Sequence, residues 1–156
     1  MRTPIKVTLR ELQINHLDEA AQVVTYSMRY NPAIVRAFRI EDAALRTRSR
    51  ERFFRPVLSG LHERGVIIGA FCDSALVGAC SVARPGSCQP TLLEKIELLP
   101  SLVSGNPMGT AIRVVRWAGE WARRDPTRPH WHLGPVAVSP HIQGQGIGCA
   151  MLSALL

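Results

Sequence analysis

Residues 136–148 of this chain read Val-Ala-Val-Ser-Pro-His-Ile-Gln-Gly-Gln-Gly-Ile-Gly, and these are the residue types an anion site requires. A β-branched run stops at Pro140, Gln143 follows, and glycines stand at 144, 146 and 148 before an apolar segment begins. Glycine permits positive φ and close backbone approach, so several N–H groups can converge on one ligand. A helix N-terminus after such a loop adds unpaired donors and a positive partial charge. A phosphate or pyrophosphate fits that chemistry.

Other glycine patterns fail on spacing. A dinucleotide-binding loop needs G-x-G-x-x-G at a first strand–helix turn and an acidic residue about 20 positions later. Here Cys149 stands where the last glycine of that pattern would be, and the sequence given ends at Leu156. A P-loop needs Gly-Lys-Ser/Thr, and the last lysine is Lys95. An ordinary glycine turn without a ligand remains the plain alternative.

The elements that must position this loop follow from periodicity. Residues 5–12 alternate and predict a strand. Asn15 as cap, with Asp18 and Glu19 behind it, predicts a helix over 16–29 whose buried face is Leu17, Ala20, Ala21, Val24 and Met28, stopped by Asn31-Pro32. Residues 41–58 predict a second helix. Its arginine-rich middle, 46–52, is expected as a solvated face, with a partner-binding basic surface as the alternative. Two apolar runs, 65–72 and 75–83, around Asp73-Ser74 predict a hairpin. Residues 85–105, with Pro85, Gly86, Pro90, Pro100 and Gly105, predict loop. Asn106-Pro107 opens a third helix with Met108, Ile112, Val115, Ala118 and Ala122 as its stripe, ended by Asp125-Pro126. A strand over 130–138 and a helix over 146–156 bracket the glycine loop. Gly134-Pro135 marks a bulge or edge in that strand. The order β-α-α-β-β-α-β-loop-α predicts an α/β (α+β) domain, a mixed sheet flanked by helices.

Composition narrows the class. With 46% apolar and 20% charged residues the chain is expected to be globular. No apolar run has membrane-spanning length and the N-terminus lacks a secretory core, so no membrane contact and a cytoplasmic location are expected. The four cysteines, 72, 80, 88 and 149, fit no zinc spacing, so no metal is expected and the thiols should be reduced. The net charge of +7 favours anionic partners. No nucleic-acid-binding signature accompanies it, so no specific nucleic acid is expected.

The segment from Val138 to Gly148 resembles the acyl-CoA signature of the GNAT family of N-acetyltransferases, Gln/Arg-x-x-Gly-x-Gly/Ala after a strand, with Gln143, Gly146 and Gly148 at its defining positions. The upstream element order is similar too, so residues 1–156 are expected to form one GNAT-like domain. The resemblance implies acetyl-CoA as co-substrate. It also implies acetyl transfer to an amine, of a small molecule or a protein, by direct attack in a ternary complex. Backbone of Gln143, Gly144, Gln145, Gly146, Ile147, Gly148 and Cys149 would hold the pyrophosphate. Val136, Ala137 and Val138 would lie along the pantetheine arm. In the histone-acetyltransferase branch a glutamate occupies the strand position of His132, which makes His132 the first candidate base, with Glu97 and Glu94 behind it. Cys149 is expected to pack rather than to act as a nucleophile, and Trp121 and Trp131 to belong to the core.

The family's sheet continues beyond the loop helix, and a tyrosine there often protonates the thiolate. The sequence stops at Ala154-Leu155-Leu156, so the domain is expected to lack C-terminal strands and a helix, and to self-associate through an exposed edge. Tyr26 and Tyr30 match no family position. The competing functions are a non-catalytic acyl-CoA-binding or regulatory module and a basic protein-interaction module using residues 46–55.

Overall fold

A computed structural model describes residues 6–104 and 106–155. Four strands form one antiparallel sheet: β1 (Thr8–Glu11), β2 (Gly65–Cys72), β3 (Ala75–Ala83) and β4 (His132–Val138), in that spatial order. The β2–β3 hairpin turns at Asp73, whose φ of 54° is left-handed, a conformation aspartate tolerates. The helices are α1 (Leu17–Ser27), α2 (Pro32–Phe38), α3 (Ala43–Arg64), α4 (Leu92–Val103), α5 (Met108–Arg124) and α6 (Ile147–Leu155). Both hairpin strands, β4 and the last helix lie where periodicity places them. None of the described helices is long and apolar enough to cross a membrane.

The sheet separates two cores. On one face α1 and α3 pack over Ile67, Phe71, Ala79, Ala83 and Ala137, with Leu17, Val24, Phe38 and Leu58 fully buried or nearly so. The expected face of α1 is the buried one, and Met28 packs against it. The cap is His16 rather than Asn15. On the other face α6 lays Ile147 and Met151 over Ala70, Val77 and Cys80. Met151 is completely buried, and a Cβ at Gly78 would come within 3.0 Å of its Cε, so glycine there lets α6 seat on β3. Each such apolar side chain contributes about 1.5–3 kcal/mol by leaving water.

Several helix expectations need correction. Asn31-Pro32 does end the first helix, but it also starts α2: the Asn31 side chain accepts from the N–H groups of Ala33 and Ile34, and proline is unpenalised at the first helical position. Residues 85–105 are not all loop. α4 begins at Thr91, whose hydroxyl accepts from Glu94 N while the Glu94 carboxylate accepts from Thr91 N. The inward side of α5 carries Thr110, Ala111, Val114 and Trp117; Ile112 and Val115 of the expected stripe face solvent. Its apolar residues occupy both sides of the helix, and docking against α2 and α4 decides which side is covered.

The arginine-rich part of α3 is not simply a solvated face. Arg50 is 2% exposed, and its Nη1 donates to Arg29 O. Arg46 donates to the carbonyls of Ile40 and Glu41, Arg52 to Ser104 O, and Arg55 pairs with Asp18. These cations tie loops and helices together, while Thr47, Arg48 and Arg52 stay exposed. β4 pairs with β3 on one side and with no other strand among the described residues; Trp131 just before it and Leu133 within it are exposed.

Candidate active site at the two ends of the fourth strand

The C-terminal end of β4 runs into the glycine loop. Ser139 N donates to Val77 O at 2.8 Å, fixing where the strand leaves the sheet. Pro140–Ile142 form one 3-10 turn, and Ile142 plugs into the α6-side core. The Gln143 side-chain amide donates back to Val138 O at 2.8 Å, bracing the loop across its base. Gly144 and Gly146 have φ of 78° and 79°, conformations that side chains make costly. A Cβ at either would meet nothing within 4 Å, so open space lies over both glycines. α6 starts immediately afterwards: Ala150 N donates to Gly146 O at 2.9 Å. The first N–H groups of a helix have no intrahelical acceptor. A cavity of about 250 Å³ lies between Val138, Ile142 and the loop from Gln143 to Cys149. Backbone donors, a helix N-terminus and an open concavity therefore coincide, an arrangement suited to an anion. Cys149 is exposed at its rim rather than packed.

The N-terminal end of β4 carries side-chain chemistry. The strand holds one extra residue at Gly134-Pro135: Cys80 pairs with Val136, but Val82 pairs with Leu133 and Ala83 with His132. Cross-strand partners share a face. The bulge therefore turns His132 to the side of Ala83 and Ala137, away from Val136 and Val138, which lie with Cys80 on the α6 side. An unbroken pleat would have put all three on one face. His132 Nδ1 lies 3.6 Å from Asp125 Oδ1, and Asp125 accepts from the Gln89 side chain. His130 Nδ1 is 2.9 Å from Arg128 O, and the Cys88 thiol donates to His130 O at 3.3 Å. Asp125, Gln89 and Cys88 escape sequence reasoning because only folding brings the end of α5 and the loop between β3 and α4 to His132.

The two glutamates differ. Burial alone would raise the Glu94 pKa, but hydrogen bonds from Thr91 and the charge of Arg64 outweigh it and hold the carboxyl below its ordinary value. Glu94 is bound into the α4 cap and the Arg64 ion pair, which suits it poorly to take a proton. Glu97 and Glu94 line a cavity of about 540 Å³ together with Glu63, Arg64 and Gln89. Gln89 links this cavity to Asp125 and so to His132. Trp121 and Trp131 are exposed, contrary to expectation; Trp117 is the tryptophan packed on the core. Tyr26 and Tyr30 are exposed, in and just after α1. Burial pushes the Cys80 thiol up to about 11, and none of the described cysteines forms a disulfide.

The family model of the Acetyltransferase (GNAT) family matches residues 31–156. Among solved structures, an acetyltransferase of Corynebacterium glutamicum, related to histone acetyltransferases, superposes with a TM-score of 0.67 at 21% identity, covering 95% of this chain and 68% of that one. Drosophila melanogaster polyamine N-acetyltransferase gives 0.55 at 16%, covering 96% and 68%. A Brucella melitensis GNAT acetyltransferase in complex with acetyl-CoA gives 0.50 at 15%, covering 96% and 66%. The chain thus spans about two thirds of the length of each. At these identities the likeness is one of fold. No curated protein sequence matches the chain.

Proposed function

The chain belongs to the acetyltransferase (GNAT) family, and on that premise we propose that it transfers an acetyl group from acetyl-CoA to an amine by direct attack within a ternary complex. The observation that carries this reading is the loop after β4, where two glycines at positive φ open onto a cavity at the start of α6. Backbone from Gln143 to Cys149 would hold the pyrophosphate. Val136, Ala137 and Val138 would run beside the pantetheine arm, and the side of β4 away from β3 supports that placement.

His132 is the proposed base. Asp125 on its Nδ1 side would fix the ring, leaving Nε2 to take the proton from an ammonium. The freed nitrogen lone pair attacks the thioester carbonyl, the C–N bond forms and the C–S bond breaks. As the amide forms the nitrogen loses its second proton, and CoA, leaving as thiolate, takes up that proton through solvent. The cavity lined by Glu63 and Glu97, with Glu94 paired to Arg64, gives the acceptor its chemistry: the acidic excess of that lining suits a cationic amine. The Drosophila protein is a polyamine N-acetyltransferase, so polyamines belong in the acceptor panel.

The test is a transfer assay with labelled acetyl-CoA against polyamines, arylalkylamines and lysine peptides. Acetylation of at least one amine class, with no acetyl retained on the protein after gel filtration, is the expected result. A stable acetyl-protein in place of acetylated amine would contradict direct attack. Acetyl-CoA binding with no transfer to any amine would favour the non-catalytic binding module instead.

A further inference from the structure

We propose that Cys88, His130 and His132 form a binding site for a soft divalent cation of the zinc type. The three residues each offer one donor atom, and these atoms all lie within 4.8 Å of one another. All three are half-buried. Thiolate plus two imidazoles is a donor set that zinc takes with three protein ligands and an open fourth position. The spacing matters: tetrahedral zinc wants its donors about 3.5 Å apart, so side-chain rotation within the cluster, whose Cys88 sits in the loop between β3 and α4, has about 1 Å to close.

Two further observations point to a ligand rather than to chance proximity. His130 Nδ1 faces Arg128 O at 2.9 Å, and only a protonated nitrogen can donate to a carbonyl. In the neutral ring this leaves the lone pair on Nε2. That atom is buried and has no hydrogen-bond partner among the described residues. An unsatisfied buried acceptor is costly, and a metal would satisfy it. His132 repeats the arrangement: its Nδ1 faces the Asp125 carboxylate, which Gln89 holds in place. A carboxylate or carbonyl behind each imidazole is how metal-ligating histidines are oriented and made more basic. The Cys88 thiol, which donates to His130 O in the metal-free chain, would release its proton on binding.

A cation here occupies the lone pair of His132. Resting on the proposed role of His132, it follows that zinc inhibits transfer and that a chelator restores it.

The test is a cobalt(II) titration of the full chain, followed by absorption. The expected result is a thiolate-to-cobalt band that saturates at one equivalent. It disappears in Cys88→Ser, weakens at least about tenfold in His130→Gln and persists in Cys149→Ser. A second readout needs no variant: zinc should protect Cys88 from iodoacetamide in the native chain while exposed Cys149 still labels. No band, a band that depends on Cys149 alone, or Cys88 labelling unchanged by zinc would overturn the site. The activity arm separates the two proposals. Zinc inhibition of the native chain, absent in Cys88→Ser, supports both. Cobalt binding without inhibition leaves the metal site standing and removes His132 as the base.

Discussion

The two ends of β4 do different kinds of chemistry with different materials. At the C-terminal end the working groups are backbone N–H groups, placed by glycines 144 and 146 and by the start of α6. At the N-terminal end they are side chains: His132 with Asp125 and Gln89, and beside them Cys88 and His130. Between the ends sits the Gly134-Pro135 bulge, which reverses the face that His132 presents relative to Val136 and Val138. The contrast teaches that a backbone site is held by local conformation, whereas a side-chain site is held by contacts between distant segments. The first should tolerate side-chain changes and fail on backbone changes; the second should do the reverse.

The largest effect that can break this division is on turnover. His132→Ala should lower kcat by about 10²–10⁴-fold while leaving acetyl-CoA affinity within about twofold. A comparable loss of affinity would mean that the two ends are not separate. Next, Glu97→Gln should raise KM for a cationic amine several-fold with little change in kcat; an unchanged KM would remove the acidic cavity from acceptor binding.

Smaller effects concern the α4 cap that frames the cavity. Thr91→Ala should cost about 1 kcal/mol in denaturant unfolding. Glu94 adds a pH dependence. Its pKa is lowered by folding, so its contribution is full above the ordinary carboxylate value and lost as pH falls through the depressed one. The stability gap between native chain and Glu94→Ala should therefore be widest near neutral pH and shrink below about pH 4. A gap that widens on acidification would contradict the sign.

The same contrast explains what the sequence makes legible. The glycine loop, the hairpin and the buried faces of α1 and α6 depend on residues close in sequence, so strand, proline, glycines and helix are readable in order. The Thr91–Glu94 cap is legible as well, a threonine with glutamate three positions on, but Pro90 and Pro100 argue for loop. α4 had no inward stripe to outweigh them, because Leu92, Leu93, Ile96, Leu99 and Val103 are exposed and Leu102 is its buried residue. Asn31-Pro32 reads equally well as a stop and as a start; only the following turn decides. The grouping of Cys88 with His130 and His132 carries no local spacing at all, since a strand, a loop and two helices must fold before the thiol meets the imidazoles. Arg50 is a similar case: nothing in its arginine-rich neighbourhood announces burial.

The central claim is that the loop from Gln143 to Gly148 binds acetyl-CoA through its backbone. Calorimetry of the native chain and of Gly146→Val against acetyl-CoA tests it most directly. Saturable one-to-one binding, weakened at least about tenfold by a side chain at a φ of 79°, is the predicted result. A folded native chain that releases no heat of binding, or a Gly146→Val chain that binds acetyl-CoA as tightly as the native one, would contradict it.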